Sequence, residues 1–287
     1  MRRLSDSCNM RPRPTAAVVG MVCLLALNQS GAVMPNERER VVEIELQDIT
    51  LVGRYFDSGR EGSGPALLLL HGWSWPDVDP SLRMIETARA FQHAGYTVLT
   101  PSMRGWPPSG GSDDCAGRQV DDALQLLEWL SRQRGVDAGK LFLAGFSQGG
   151  QIALLAASRG APIKALAAFA PVVDPESWGK ETDVEGIRGY LMEECGGPQG
   201  WPARNVMNRL SELVQPVLLV HGDADQRVPT RQSLLLYEKL QEMQRPAQLE
   251  LIPGAEHDLD VVLLPQRALR FFQHSLDSHH DNRGAVR

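Results

Sequence analysis

Hydrophobic and polar residues alternate along the chain in patterns that predict strands and helices in turn. Residues 41–46 alternate with a period of two and residues 49–56 nearly do so, which predicts a half-buried antiparallel hairpin at the edge of a sheet. Six further short segments predict strands, and their most continuously apolar members are typical of a parallel sheet covered on both faces. These segments are 66–70, 96–100, 141–145, 163–170, 216–220 and 249–252.

Segments between these strands carry apolar residues three or four positions apart, which predicts amphipathic helices. The predicted helices cover 81–94, 119–134, 151–157, 233–243 and 265–276. Because strands and helices alternate, the sequence predicts an α/β fold with a doubly wound, mostly parallel sheet, in one domain over residues 33–276. Active sites in such sheets lie beyond the carboxyl ends of the strands.

One segment interrupts the alternation of strands and helices. Residues 174–213 separate two predicted strands by about forty residues, which is long for a loop. We therefore predict a small helical insertion that covers the active site as a lid. Residues 277–287 are polar and are predicted to form a mobile tail.

The first 32 residues have the pattern of a secretory signal peptide. Four arginines precede an apolar run at 16–27, and small residues suited to cleavage end at Ala32. The run has twelve residues, whereas a membrane-spanning helix takes roughly 20. We expect a secreted or periplasmic protein without a stable membrane span after signal removal; an uncleaved anchor or a misassigned start codon are the alternatives.

Charge and cysteine content narrow the function classes further. The 287 residues carry a formal net charge of −6, and no Lys/Arg-rich block follows the first fourteen residues, so nucleic acid is not expected as a partner. Cys8 and Cys23 lie in the N-terminal segment, which leaves Cys115 and Cys195. An even number in an oxidising compartment suggests a disulfide between them, with two unpaired thiols as the alternative. Neither cysteine has the spacing of a metal ligand.

The stretch Gly-Phe-Ser-Gln-Gly at 145–149 lies between a predicted strand and a predicted helix and places Ser147 at the apex of a sharp turn. This arrangement is typical of a nucleophilic serine, although alone it could be an ordinary Gly/Ser turn. A serine hydroxyl needs a base to accept its proton, and the base needs a carboxylate that fixes its tautomer. Asp225 and His257 each follow a predicted strand, in the expected order. They are the predicted acid and base.

Other titratable residues compete for these roles. Asp223, Asp258 and Asp260 are alternative acids, because they lie beside Asp225 or His257 in the sequence. His71 and His221 each end a strand ahead of a glycine, and we interpret both as structural.

Three motifs together give the chain a resemblance. Gly-Phe-Ser-Gln-Gly-Gly at 145–150, His-Gly-Asp-Ala-Asp-Gln-Arg-Val-Pro at 221–229 and Pro-Gly-Ala-Glu-His at 253–257 resemble the α/β-hydrolase superfamily. Within it, residues 65 to 276 most resemble the catalytic domain of prolyl oligopeptidase-like serine peptidases and dienelactone hydrolase-like esterases. The resemblance implies a serine hydrolase that works through an acyl-enzyme, with Asp225 as the acid and with no metal or organic cofactor.

The oxyanion of such a reaction needs two backbone N–H donors. One is expected from Gln148, the residue after the nucleophile, at the N-terminus of the elbow helix. The resemblance points to Trp73, in the loop after the 66–70 strand, for the other. Arg104-Gly105 resembles the Arg-Gly turn of the family; we interpret Arg104 as a structural bridge between loops, with phosphate binding as the alternative.

Several tryptophans lie in loops or in the insertion and suggest an apolar acyl or aromatic pocket. The candidates for its wall are Trp75, Trp106, Trp178 and Trp201, together with Trp73. The alternative is that some of them only pack the insertion onto the core. Because residues 33–64 are too short for a β-propeller, we favour small esters over short peptides as substrates. A serine peptidase, an acyltransferase and, more remotely, a non-catalytic ligand-binding protein are the alternatives.

Overall fold

The predicted strands form one eight-stranded sheet in the computed structural model, which describes residues 38–74, 77–182, 184, 186–259 and 263–281. The strand order is β1-β2-β4-β3-β5-β6-β7-β8. The strands are β1 (Glu39–Glu45), β2 (Thr50–Phe56), β3 (Gly64–Leu70), β4 (Thr97–Pro101), β5 (Val136–Phe146), β6 (Ala165–Phe169), β7 (Val217–Gly222) and β8 (Ala247–Ile252).

Strand directions follow the sequence pattern. The hairpin of β1 and β2 is antiparallel and lies at one edge, and β2 pairs antiparallel with β4. All pairs from β4 through β3 to β8 are parallel, so the carboxyl ends of β3 and β5–β8 meet at one edge of the sheet. The α/β fold with a mostly parallel sheet is therefore confirmed.

Helices cover both faces of the sheet. They are α1 (Ile85–His93), α2 (Arg118–Ser131), α3 (Gln148–Ser158), α4 (Pro175–Glu181), α5 (Ile187–Glu193), α6 (Gly197–Arg204), α7 (Arg231–Glu242) and α8 (Leu263–Asp281). Successive residues of a strand point to opposite faces. Accordingly, Leu68 and Leu70 belong to a core cluster with residues of α2, α3 and α7, and Leu67 and Leu69 to a second cluster with residues of α1 and α8.

Two helix boundaries differ from the sequence prediction. The first turn before α1 is a 3₁₀ helix, Pro80–Met84, because the Asp79 side chain accepts a hydrogen bond from the Ser81 N–H and ends the preceding loop there. Helix α8 continues to Asp281, so the tail does not begin at residue 277. Its extension includes a hydrogen bond from Gln273 to Asp277 one turn later. Residues 282–287 lie outside the described residues.

The predicted insertion is helical. Helices α4, α5 and α6 and a 3₁₀ turn, Val206–Arg209, lie between β6 and β7. A small apolar cluster including Trp178, Leu191 and Val228 packs the insertion onto the strand ends. A disulfide joins Cys195, between α5 and α6, to Cys115, just before α2. The disulfide hypothesis is thus confirmed, and the bond ties the insertion to the body of the molecule.

The N-terminal segment predicted as a signal peptide, residues 1–32, lies outside the described residues. Within the described part of the chain, no helix has the length and hydrophobicity needed to cross a bilayer.

Candidate active site

Ser147 occupies the sharp turn between β5 and α3. Its backbone has φ 54° and ψ −117°, a conformation that residues with a side chain rarely adopt. Hydrogen bonds hold it there: the Ser147 N–H donates to the carbonyl of Phe169 at 2.8 Å, and the Ser147 carbonyl accepts from Gln151 at 3.1 Å. The strained turn is fixed by β6 on one side and by the first turn of α3 on the other.

Glycines on either side of the turn allow strand and helix to approach closely. A Cβ on Gly145 would lie 2.1 Å from the carbonyl oxygen of Gly149, and a Cβ on Gly149 would lie 2.3 Å from that of His71. Both contacts are with backbone, which cannot move aside without displacing a strand or helix. The glycines at 145 and 149 are therefore a steric requirement of the turn.

The three residues predicted as nucleophile, base and acid form one hydrogen-bonded series. The Ser147 Oγ lies 3.0 Å from His257 Nε2, and His257 Nδ1 lies 2.7 Å from Asp225 Oδ2. All three residues are buried. They meet because β5, β7 and β8 are parallel, so the residues that follow them emerge at the same edge. With Nδ1–H donating to Asp225, Nε2 is left to accept the serine proton.

The competing acids contact other groups. Asp223 Oδ1 accepts from the Gly254 N–H at 2.6 Å, and Asp258 Oδ1 lies 3.9 Å from an Arg227 guanidinium nitrogen. Asp260 lies outside the described residues. Among the described carboxylates, Asp225 is the one that contacts the imidazole of His257.

Asp225 accepts four hydrogen bonds. Its Oδ1 accepts from the backbone N–H groups of Arg227 and Val228, both at 2.9 Å, while its Oδ2 accepts from His257 and from His221 Nε2, the latter at 3.2 Å. Burial alone would raise the pKa of the carboxyl, but the hydrogen bonds from His221 and His257 outweigh it and hold the pKa below its ordinary value. The group is therefore a carboxylate at neutral pH.

His221 was interpreted from the sequence as structural, and its contact with Asp225 was missed. Its Nε2 faces two acceptors, Asp225 Oδ2 and the Val228 carbonyl at 2.8 Å, so Nε2 carries the proton. Its Nδ1 then accepts from the Ser233 hydroxyl at 2.7 Å. The available signal was its spacing, because His221, near the end of β7, precedes Asp225 in the following tight loop by only four residues.

His71 supports the loop that carries Trp73. Its Nδ1–H donates to the Gly72 carbonyl at 2.7 Å, and its Nε2 accepts from the Met103 N–H at 2.9 Å. Burial lowers the pKa of His71 to about 4, so the ring is neutral at neutral pH. The structural interpretation of His71 agrees with these contacts.

The two residues expected to supply oxyanion donors line the same cavity as Ser147. Gln148 is the first residue of α3, where backbone N–H groups have no partner within the helix and the helix dipole favours negative charge. Trp73 lies in the loop after β3, and its ring contacts that of Tyr190 at a centroid distance of 6.4 Å. The structure thus brings both expected donors to the wall beside the serine.

A cavity of about 610 Å³ opens in front of the Ser147 hydroxyl. Its wall is mostly apolar and comes from the strand-end loops, from the segment around α1 and from the insertion. The insertion contributes Trp178, Val184, Ile187 and Tyr190. A mostly apolar cavity of this size, with the Ser147 hydroxyl in its wall, is suited to a small organic substrate.

Two of the predicted pocket tryptophans lie elsewhere. Trp106 is buried under the loop after β4, where its Nε1 donates to the Ser74 carbonyl at 3.1 Å and its ring packs on His71. Trp201 lines a separate cavity of about 410 Å³ among the helices of the insertion. Assigning these two to the pocket was wrong. Trp178 does line the main cavity, whereas Trp75 lies outside the described residues.

Arg104 has a structural role, as interpreted from the sequence, but it joins its loop to helix α2 and to the turn between β1 and β2. Its guanidinium contacts Asp122 through two nitrogens, at 2.8 and 2.7 Å, and it contacts Asp48 at 2.8 and 3.2 Å. All three nitrogens of the Arg104 guanidinium therefore donate hydrogen bonds to carboxylates. In the described part of the chain, no group of three or more His, Cys, Asp or Glu side chains is arranged to hold a metal ion.

Comparison with known proteins assigns the chain to a family. The model of the prolyl oligopeptidase family matches residues 80–279. The chain belongs to this family. It is a serine hydrolase with the α/β-hydrolase fold, as the sequence resemblance implied.

Individual relatives of this hydrolase are distant. The uncharacterized peptidase YtmA of Bacillus subtilis is 29% identical over 58% of this chain and 68% of its own length. A puromycin-hydrolyzing peptidase of Mycobacterium tuberculosis superposes with a TM-score of 0.71 and is 21% identical in sequence. The superposition covers 85% of this chain and 41% of that peptidase. Est1E of Butyrivibrio proteoclasticus, solved with bound ferulic acid, has a TM-score of 0.66 at 21% identity, covering 82% of this chain and 99% of that one.

Proposed function

We propose that this hydrolase cleaves carboxylic esters of small organic acids through a Ser147–His257–Asp225 triad. The observation that carries the proposal is the buried series of hydrogen bonds from the Ser147 hydroxyl through His257 to Asp225, which faces a mostly apolar cavity. Each of the three groups has the chemistry of its role: a hydroxyl, an imidazole with a free lone pair toward it, and an ionised carboxylate behind the imidazole.

The proposed reaction proceeds by acyl transfer to the serine. Ser147 Oγ attacks the ester carbonyl while His257 Nε2 takes its proton, and Asp225 stabilises the imidazolium that forms. The backbone N–H groups of Gln148 and Trp73 bind the negative charge that develops on the carbonyl oxygen. His257 then protonates the leaving alcohol. Water, deprotonated by the same imidazole, releases the acid from the acyl-enzyme.

The size and lining of the cavity favour esters over peptides. About 610 Å³ of mostly apolar space accommodates a short acyl or aromatic group. Est1E, whose whole chain superposes on this one, binds ferulic acid, an aromatic acid. A peptidase remains the second candidate, because YtmA and the puromycin-hydrolyzing enzyme are named as peptidases.

We also propose that the protein is exported to the periplasm or the medium. The signal-like pattern of residues 1–32 and the Cys115–Cys195 disulfide support this, since disulfides persist in oxidising compartments.

Labelling and kinetics of a matched pair of serine variants test the proposed nucleophile. A fluorophosphonate probe should label Ser147, and the Ser147→Ala variant should not be labelled. Its kcat on short-chain p-nitrophenyl esters should fall by a factor of at least about 10³. Ser74→Ala is the control, because Ser74 is a second buried serine on the same cavity wall. It should remain labelled.

Substrate panels separate ester from peptide chemistry. The same preparations are assayed on p-nitrophenyl esters of increasing chain length and on aminoacyl and dipeptidyl anilides. Undetectable ester hydrolysis with robust release from the anilides would replace the esterase proposal by the peptidase one. Labelling that persists in Ser147→Ala would refute the proposed triad itself.

A further inference from the structure

A single half-buried carboxylate, Asp113, connects the insertion to the turn that carries the serine. Asp113 lies in the loop between β4 and α2, and its Oδ2 accepts a hydrogen bond from the Tyr190 hydroxyl of α5 at 2.9 Å. Its Oδ1 accepts from Gln148 Nε2, also at 2.9 Å. One side chain therefore contacts both the helix above the cavity and the first residue of α3.

The position of Asp113 is itself fixed. Its Oδ1 also accepts from the backbone N–H of Cys115 and from Gln119 Nε2, both at 3.0 Å. The adjoining loop is bound to the insertion by the Cys115–Cys195 disulfide and by Arg204, whose Nε and Nη2 donate to the carbonyls of Cys115 and Asp114 at 2.8 Å. The carboxylate is thus a rigid anchor.

This anchor dictates the orientation of the Gln148 side chain. A carboxylate oxygen only accepts hydrogen bonds, so the amide must present Nε2 to Asp113. The same Nε2 donates to the Tyr190 hydroxyl at 2.9 Å. Gln148 Oε1 is then buried without a partner among the described residues, which is unfavourable by itself. The side chain is held by its donor end alone.

The backbone of Gln148 carries the N–H that the proposed reaction needs. Gln148 follows directly on the strained residue Ser147, and such a conformation persists only where its surroundings over-determine it. A side chain fixed at its far end restricts the backbone to which it is attached. Oxyanion stabilisation requires that the donor is positioned before the charge forms.

We infer that Asp113 is a positioning residue that, by holding the Gln148 side chain, sets the direction of the Gln148 backbone N–H toward the oxyanion. The inference rests on the proposed function, in which that N–H is one of two oxyanion donors. Asp113 does not touch the substrate, and its effect is confined to the transition state, because the oxyanion exists only there.

Kinetics and ligand affinity of Asp113 variants test this inference. In Asp113→Ala, kcat should fall about 10–100-fold while KM changes less than about threefold. The fall is smaller than the loss of about 10²–10³-fold in kcat that follows complete removal of one oxyanion donor, because the N–H is misdirected and not removed. Binding of an alkyl boronic acid, which forms a tetrahedral adduct on Ser147, should weaken by the same factor as kcat. The product carboxylic acid should bind as before.

Further variants keep the test decisive. Asp113→Asn retains an oxygen facing Gln148 and should recover most of kcat. Gln148→Met keeps the backbone N–H but cannot donate to Asp113, so it should lose as much as Asp113→Ala, and the double variant should lose no more than either single one. Asp114→Asn is the control, because Asp114 accepts from the Gly117 and Arg118 N–H groups and does not contact Gln148.

Three outcomes separate the possible failures. An unchanged kcat and boronate affinity in both Asp113→Ala and Gln148→Met would overturn the inference. So would an equal loss of affinity for boronate, substrate and product together with a lowered melting temperature, because that marks a purely structural role. Failure of the proposed function shows separately, as hydrolysis or boronate binding that survives Ser147→Ala.

Discussion

The carboxyl edge of the sheet and the insertion above it line the same cavity, but different forces hold them in place. At the sheet edge, Ser147, Asp225 and His257 follow strands whose positions are fixed by backbone hydrogen bonds to neighbouring strands. The insertion consists of helices of 7, 7 and 8 residues. Helices below about 12–15 residues are marginal alone, so the insertion depends on its contacts with the body.

Those contacts are specific bonds of individual side chains, and three of them illustrate the point. The Cys115–Cys195 disulfide, the indole of Trp178 donating to the Arg227 carbonyl at 2.7 Å, and Gln151 Nε2 donating to the Arg204 carbonyl at 2.9 Å bind the insertion to three different loops or helices. The difference teaches that the three groups of the proposed triad are placed by the backbone, whereas the cavity above them is shaped by individual side chains. Substitutions in the two regions should therefore differ in kind.

The largest effect is expected at the sheet edge, from Asp225→Asn. All four hydrogen bonds to Asp225 come from donors, two on each oxygen. An amide has one oxygen, so its NH₂ group must face two donors in either orientation, and His257 loses its fixed tautomer. We expect kcat on p-nitrophenyl esters to fall about 10³–10⁴-fold. The melting temperature should also fall.

Asp223→Asn is the matched control for this prediction. Asp223 precedes Asp225 by two residues, and its Oδ1 contacts the Gly254 N–H instead of a histidine. Its substitution should change kcat less than about threefold, as expected for a surface change of limited reach. If Asp225→Asn retained more than a tenth of kcat, another carboxylate would have to serve His257.

The next effect concerns the stability of the insertion. The double variant Cys115→Ala/Cys195→Ala removes a crosslink between residues 80 positions apart, and the free energy of unfolding should fall by about 2–5 kcal/mol. Denaturant unfolding measures this. Dithiothreitol should shift the curve of the native protein to the same position and leave that of the double variant unchanged. Coincident curves for the oxidised protein and the variant would show that other contacts suffice to hold the insertion.

The same contrast explains what the sequence could predict. The turn at Ser147 has a signature within five residues, and the residues proposed as acid and base follow strands that are recognisable from their own composition. Local patterns therefore sufficed to predict that these three residues lie at the same edge of the sheet. The contacts of Asp113 join residues 35 and 77 positions away, to Gln148 and Tyr190. No local pattern carries such a pairing. The sequence showed how long the insertion is, but it did not show how the insertion packs on the body.

Two errors at the level of single residues have the same origin. Trp106 lies in a Gly/Pro/Ser-rich loop, which suggested a place in the pocket wall, but its indole contacts the Ser74 carbonyl and the ring of His71 in the interior. His221 ended a strand ahead of a glycine, as His71 does, yet the loop after β7 turns its Nε2 toward Asp225. In both cases the backbone pattern was interpreted correctly, and the direction of the side chain depended on a partner distant in space.

The smallest effect distinguishes the two tryptophans of the insertion. Trp178 and Trp201 each donate an indole hydrogen bond to a backbone carbonyl, that of Arg227 at 2.7 Å and that of Leu191 at 3.1 Å, but only Trp178 lines the cavity in front of Ser147. Substitution by phenylalanine removes one such hydrogen bond in each, worth about 0.5–1.5 kcal/mol.

Trp178→Phe should raise KM for a p-nitrophenyl ester about 2–10-fold, because its carbonyl partner lies two residues from Asp225 and its ring forms the cavity wall. Trp201→Phe should leave KM within about twofold, since the bond that it loses lies inside the insertion. An equal rise in KM for both variants would mean that the insertion responds as one body, and that its side chains do not shape the cavity independently.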